Sequence, residues 1–469
     1  MKKPGYKIIS WVLIISILHF TAAVSPASFT IGEERELGEK LLYSVRSSFD
    51  LIEDPDISQY INKIGQDVLK VTGIQYFDYH FYVINNKEFN AFAAPSGLLF
   101  FHSGLIGAME TEDELVSVIA HEIGHIVKRH LASRIETGKY SSMASLGLAI
   151  AAIAFGGVAA PALLTGALAT GQSINLHYSR LHEEEADLLA YGWMKQLHRD
   201  TGEQVKMLET MRKIARYRSD RLPQYLLTHP NPEARLHYIE SLIDIENTKG
   251  REKPRQNDDF EFLRFKYRIL SQVKDTDVLK GSLASIIADD RSSQFRKNMA
   301  YYGLSQVARN ENDYELSLEY LQKVIDRFPG KNILMVDRGV IQYDKRQYKE
   351  ARKTLEEALR VDSSDMYATY ILGKLSYRLG KLTEAELYLK SVTYQMPECS
   401  QAYFELGKIA SNKKESGSSS YYLGKYYLYE GKIKLAKASF KRAVREGKTP
   451  AQMVAESKEI LKKIESLQK

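Results

Sequence analysis

Between residues 317 and 407 the sequence returns to itself every 34 residues. Ser317, Ala351 and Ala385 occupy one small position, Leu321, Leu355 and Leu389 a second, and Val324, Ala358 and Val392 a third. Gly339, Gly373 and Gly407 keep the same step, and Pro329 and Pro397 end their repeats. A fixed period of this length leaves few folds open. Each repeat is one supersecondary unit that cannot bury its apolar face alone, so neighbours must stack into an elongated array.

Thirty-four residues is the period of tetratricopeptide (TPR) helix pairs, in which small residues let two helices approach closely. The phase then breaks. Gly424, Ala436, Phe440 and Ala443 keep the internal offsets, but Gly424 follows Gly407 by 17 residues, half a period. One helix is therefore expected to be gained or lost there, beside the segment from Glu415 to Ser420, which reads as flexible. Residues 260 to 294 are helical in pattern and repeat poorly, so they read as a divergent first repeat or adaptor.

A chain of 469 residues allows two or three domains. Its 44% hydrophobic and 26% charged residues are those of a globular protein, and a net charge of +6 on this length implies no nucleic-acid partner. Lys2, Lys3 and Lys7 precede the apolar run from Ile8 to Phe20, and small residues follow through Ala27. That is the layout of a secretory signal peptide, so residues 1–27 are expected to direct export to the periplasm. Cys399 is the sole cysteine, which excludes an internal disulfide. It reads as a passive side chain. Residues 249–259 are charged and lack large apolar side chains, the composition of a linker. The expected organisation is a first domain over 28–248, this linker, and the repeat domain over 260–469.

Within the first domain, Thr111-x-x-Glu114 has the form of a capping box, and Leu115, Val118, Ile119, Ile123 and Ile126 follow at helical spacing. His121-Glu122-Ile123-Gly124-His125 thus lies on a packed helix. At 3.6 residues per turn both imidazoles reach one ion, the pattern of a zinc peptidase. Two exposed histidines without metal are the bland alternative. Helical patterns precede the motif from Ile31 to Val71, while Tyr79 to Ile84 and Gly97 to Phe101 read as strands. Fold class is therefore mainly α with a small β-sheet.

A hydrolytic zinc site needs a third protein ligand. The metzincin extension requires Gly at 128 and His at 131, and Lys128 and Leu131 exclude it. Downstream, Ser179-Arg180-Leu181-His182-Glu183-Glu184-Glu185-Ala186-Asp187 places Glu183 and Asp187 on one helical face. Asn90 to Gly97 and Thr228-His229-Pro230 complete a set of motifs that resembles the gluzincin zinc metallopeptidases of the CAAX prenyl endopeptidase and HtpX family. With an exported leader and TPR repeats, the resemblance is strongest to the BepA-like periplasmic proteases, and it covers about residues 30 to 245.

That resemblance implies one zinc ion per chain, held by His121, His125 and Glu183, with Asp187 accepting a hydrogen bond from a zinc-bound His. It implies Glu122 as general base on the attacking water. The loop bearing His229 would approach the metal, where the imidazole either stabilises the oxyanion or fills the open position. The plain alternative is a turn histidine ahead of the helix at Pro232-Glu233-Ala234-Arg235. Arg180 reads as the partner of a nearby carboxylate, and His130 and His182 as structural hydrogen-bonding residues. Asn90, Ala91, Phe92 and Ala93 should form a strand at the cleft rim to which an unfolded substrate adds.

From Tyr140 to Ser179 there is no charged residue, and Met143 to Ala169 is rich in Ala, Gly, Leu and Ile. The segment, an insert at about 140–176, reads as a mobile hairpin or lid with peripheral membrane contact. Taken together, the sequence reads as an exported zinc endopeptidase acting on misfolded or stalled envelope proteins. Its repeats recruit substrate or outer-membrane assembly machinery. Two alternatives stand beside it: an assembly chaperone with latent proteolysis, and a membrane-integral peptidase.

Overall fold

The computed structural model describes residues 29–134, 178–217, 224–249, 254–255, 258–273 and 275–467. The expected signal peptide and the apolar insert at about 140–176 lie outside the described residues. Among those described, no helix is long and apolar enough to cross a membrane.

The chain enters through α1 (Ile31–Ser48), which Thr30 and Glu33 close with a capping box. Next comes α2 (Pro55–Leu69), opened by an Asp54 cap and a proline at its first position. Three strands follow: β1 (His80–Ile84), β2 (Ala91–Ala94) and β3 (Leu98–His102). Their order is β1-β3-β2, with β1 parallel and β2 antiparallel to β3. The central strand is buried along its whole length, as its run Leu98-Leu99-Phe100-Phe101 demands, and β2 lies at the sheet edge. Short α3 (Ser103–Ala108) leads to the motif helix α4 (Glu112–Val127) and to α5 (His130–Arg134). The domain closes with α6 (Arg180–Gln196), α7 (Gly202–Tyr217), α8 (Gln224–Thr228) and α9 (Pro232–Lys249).

The repeat half is helical throughout its described length. Its helices are α10 (Phe260–Val273), α11 (Thr276–Ala288), α12 (Gln294–Asn310), α13 (Tyr314–Arg327), α14 (Ile333–Asp344) and α15 (Tyr348–Val361). They continue as α16 (Met366–Arg378), α17 (Leu382–Gln395), α18 (Ser400–Asn412), α19 (Ser416–Tyr429), α20 (Ile433–Arg445) and α21 (Ala451–Leu467). The repeated glycines explain the period. A Cβ at Gly339 would meet Leu355 Cγ at 2.6 Å, and one at Gly373 would meet Leu389 Cγ at 2.7 Å, so each glycine admits the leucine of the next helix.

The half-period step has the same origin. Gly407 faces Leu423, while Gly424 faces Phe440, so α19 is second helix to α18 and first helix to α20. The stretch from Glu415 to Ser420, read as flexible, is instead the cap and first turn of α19. Its small residues serve packing, since Ser419 Oγ donates to Gly407 O at 2.9 Å and Gly417 abuts Thr449.

The two halves share one core. Although charged residues precede it, α10 is buried and contributes Phe260, Phe262 and Phe265 to the cluster that contains Leu115, Ile119 and Ile123 of the motif helix. Residues near the expected linker lie against the first domain: Arg255 N donates to His198 O, and Asp259 accepts from Glu112 N. At the far end of the array, Glu398 binds Arg46 at 2.9 Å and accepts from Tyr82 Oη at 2.6 Å, and Lys463 pairs with Glu39. The turn between α19 and α20 presses on α1, because a Cβ at Gly431 (φ 68) would lie 2.4 Å from the Arg46 carbonyl carbon. Replacing Gly431 with Ala adds left-handed strain of about 1–2 kcal/mol to that backbone clash. It is expected to lower the urea midpoint measurably, and an unchanged midpoint would show that this seam is loose.

Candidate metal centre

The motif helix is fixed before its histidines are reached. Thr111 Oγ1 accepts from Glu114 N, Glu114 accepts from Thr111 N, and Arg199 holds Glu112 and Asp113 at 2.6 and 2.9 Å. Every residue from Glu112 to Ile126 is buried. His121 and His125, one turn apart, bring their Nε2 atoms to 3.1 Å from one another. Gly124 between them has a reason to be glycine, since a Cβ there would stand 3.1 Å from Ala186 Cα. The pair Gly124 and Ala186 lets α4 and α6 touch, and that contact carries Glu183 to the histidines.

Glu183 Oε1 lies 3.4 Å from His125 Nε2, and its Oε2 lies 3.6 Å from His121 Nε2. One turn on, Asp187 Oδ1 lies 2.9 Å from His121 Nδ1, the nitrogen turned away from the cluster. His229 reaches the same point from the loop after α8, where its ring stacks on Tyr225 at 4.3 Å. Its Nδ1 is 3.0 Å from Glu183 Oε1 and 3.3 Å from His121 Nε2, while its Nε2 is 3.6 Å from Glu122 Oε1. Tyr178 joins the two parts, with its N–H donating to Thr228 O and its ring stacked on His125 at 4.0 Å.

His121, His125, Glu183 and His229 thus present four buried ligand atoms within 4.8 Å of one another. Three nitrogens and one carboxylate oxygen at tetrahedral number suit zinc. Burial pushes the His125 imidazole well below its usual pKa, which keeps it neutral and able to bind metal. Burial alone would raise Glu183 and Asp187. His229 and Arg235 outweigh it at Glu183, and Arg235 and His121 hold Asp187 down to about 2. Glu122 is different. It is 0% exposed, and neither carboxylate oxygen accepts a hydrogen bond among the described residues. A buried carboxylate with no hydrogen bond and only His229 Nε2 nearby at 3.6 Å is costly, so it is placed for chemistry and not for stability.

Two supports surround the ligands: Arg235, which was not legible in sequence, and His130, which reads there as a structural hydrogen-bonding residue. Arg235 on α9 binds Asp187 at 2.7 and 2.8 Å and Glu183 at 2.8 Å, tying the ligand carboxylate to its neighbour. A cation in the first turn of a helix opposes the helix dipole, and that oddity was the available signal. His130 Nδ1 sits 2.9 Å from His125 Nδ1, and its Nε2 sits 3.0 Å from Glu185 Oε2. Each motif histidine therefore has an outer partner that orients its ring. Arg180 does not take part: it is exposed on the first turn of α6 and makes no ion pair among the described residues. Its side chain starts on the solvent side of α6, whereas Arg235 approaches from the buried side.

Asn90 is buried just before β2, and Ala91 and Phe92 are buried within it, with Phe92 stacked on Phe100 at 4.9 Å. Ala93 is partly exposed. The strand packs beside α4, and among the described residues only β3 pairs with it. Cys399 is half-buried, and burial pushes its thiol up to about 12, as befits an inert side chain.

Residues 55–243 match peptidase family M48, and residues 300–330 and 336–395 match tetratricopeptide repeats. The chain is 31% identical over 313 residues to the beta-barrel assembly-enhancing protease of Escherichia coli (strain K12), covering 65% of this chain and 62% of that protein. It is 30% identical over 318 residues to the protein of the same name from Yersinia pestis, covering 66% and 63%. With the mitochondrial metalloendopeptidase OMA1 of Schizosaccharomyces pombe (strain 972 / ATCC 24843) it shares 29% identity over 184 residues, 39% of this chain and 52% of that one. The match spans less than two thirds of each of these relatives.

Proposed function

Because residues 55–243 belong to peptidase family M48 and tetratricopeptide repeats follow them, we propose that the protein is a zinc-dependent endopeptidase of the cell envelope. Its substrates are unfolded or stalled polypeptides. The observation that carries this reading is the buried cluster of His121, His125, Glu183 and His229, with the Glu122 carboxylate beside it accepting no hydrogen bond among the described residues. The signal-peptide-like pattern of residues 1–27 and relatives named for enhancing beta-barrel assembly support an envelope location and a role in that assembly.

A zinc ion bound here would act as Lewis acid and lower the pKa of a water. Glu122 takes the proton of the attacking water and returns it to the leaving amine. Asp187 and the His130–Glu185 pair keep the two motif rings oriented, and Arg235 balances the negative charge of Glu183 and Asp187. The edge strand β2 receives the substrate backbone, which accounts for cleavage of chains with little sequence in common. Casein cleavage that is lost with a chelator and returns with zinc, alongside one zinc per chain, is the expected result. A zinc-loaded chain inert toward every unfolded protein would favour the assembly-chaperone reading.

His229 acts in this scheme as a fourth ligand through Nδ1, which lies among the other three donor atoms. His229→Ala is expected to weaken zinc binding while raising the basal cleavage rate of zinc-saturated enzyme severalfold. Metal affinity and casein turnover measured on the same preparation test it, and an unchanged rate at saturating zinc removes the latch.

A further inference from the structure

The repeat array and the peptidase domain border a cavity of about 530 Å³ on the seam between them. Four cations line it: Arg46, Arg268, Arg309 and Lys374. Three are already paired, Arg46 with Glu398, Arg268 with Asp54 and Asp56, and Arg309 with Asp344 at 2.7 Å. Lys374 has no ion pair or hydrogen bond among the described residues. Its ammonium lies over the rings of Tyr343 and Tyr370, at 5.3 Å from each centroid.

The repeat pattern makes this lone lysine more informative. Gly373-Lys374, Gly407-Lys408 and Gly424-Lys425 occupy equivalent positions, the glycine packing on the next helix and the lysine lying over aromatic rings. Lys408 is neutralised by Glu405 at 2.5 Å and Lys425 by Glu456. At the position equivalent to Glu405, the Lys374 repeat has Ile371, which also lines the cavity. Glu405 stands to Lys374 as Glu456 stands to Lys425 and its charge acts on Lys374, but it pairs with Lys408, so Lys374 alone of the three has no carboxylate within ion-pair distance among the described residues. Of the other carboxylates that line the cavity, Asp50 accepts from the Asn85 amide at 2.7 Å. Asp54 is held by Arg268, Glu430 by Lys432, and burial raises Glu53 to about 8.

We propose that this cavity binds an acidic side chain of an extended polypeptide, with Lys374 as the cation that captures the carboxylate. Tyr367, Tyr370 and Gln401 line the same cavity and offer hydroxyl and amide donors around that position. A carboxylate supplied by the bound chain would complete the ion pair that the neighbouring repeats make internally. Burial pulls the lysine below its ordinary pKa despite the more distant charges of Glu405 and Asp344, and a carboxylate bound directly to it would oppose that shift. A dianionic phosphate fits less well, because Lys374 is the one cation lining the cavity that has no ion pair among the described residues. The proposal rests on the peptidase reading only in taking the bound chain to be substrate.

The test is fluorescence anisotropy on the full chain carrying Glu122→Gln, with a dye-labelled, extended, C-terminally amidated peptide containing two glutamates. The expected result is that replacing both glutamates by glutamine weakens binding at least about tenfold, and that Lys374→Met removes the difference. A Lys374→Glu chain should instead prefer the peptide with lysines in place of glutamates. Equal binding of the glutamate and glutamine peptides, or no effect of Lys374→Met in a chain with unchanged thermal unfolding, would overturn the proposal. A neutral peptide that binds only with a free α-carboxylate, in a Lys374-dependent way, would overturn the side-chain assignment and move the site to chain ends. Cleavage of a neutral peptide by the chain with Glu122 intact reports on the peptidase alone, so failure of one reading is distinguishable from failure of the other.

Discussion

A Glu122→Gln chain retains its zinc and loses casein hydrolysis by about 10³-fold. The expectation follows from three facts about the side chain: it is wholly buried, neither oxygen is hydrogen-bonded among the described residues, and its nearest cationic partner is His229 Nε2 at 3.6 Å. Glutamine has the same size and cannot take a proton, so packing is kept while the base is removed. General bases contribute about 10²–10⁴ to such rates. None of the four clustered donors is altered, which is why metal content should not change. The measurement pairs metal content with casein turnover on one preparation. Zinc-dependent cleavage surviving in the variant, with contaminating protease excluded, would take the role of base away from Glu122.

The second large effect is on stability. Arg264 of α10 lies between the two halves, bound through Nε and one NH2 group to Asp337 at 2.9 and 2.8 Å and through the other to Asp56 at 2.9 Å. Arg268 repeats the device one turn later, reaching Asp54 at 2.8 Å under the ring of Tyr367. Removing one member of such a set leaves its carboxylates buried and uncompensated, at a cost of about 3–5 kcal/mol. Arg264→Ala is therefore expected to lower the unfolding free energy by that amount in urea. Changing Arg264 to Met and Asp337 to Leu together should regain most of it, because the stranded charge goes too. A single variant within about 1 kcal/mol of wild type would show that water reaches these groups.

What the sequence disclosed, and what it withheld, divides by distance along the chain. The helix of His121 and His125 is announced by local features, a capping box and a 3.6-residue stripe, and its glycine by contact with a helix carrying its own motif. Period alone revealed the repeats and the odd step at Gly424. Arg235 escaped because an arginine after Pro232-Glu233-Ala234 looks like any helix surface until α6 is brought against it. Glu185 ends the chain of contacts through His130 to His125, a role that its place beside Glu183 and Glu184 does not disclose. The shared core was invisible for a related reason. Arg264 and its partners Asp337 and Asp56 are 73 and 208 residues apart, and no periodicity links them.

The contact of Gly431 with Arg46 also sets a limit on how this protein can change in length. An open stack of helix pairs tolerates loss or gain of a whole pair, since each touches only its neighbours. Here the stack begins on the peptidase at α10 and returns to it at Glu398, Gly431 and Lys463. An added pair would pack well locally and arrive at the wrong place. Repeat number has become a closure condition, as strand number is for a barrel.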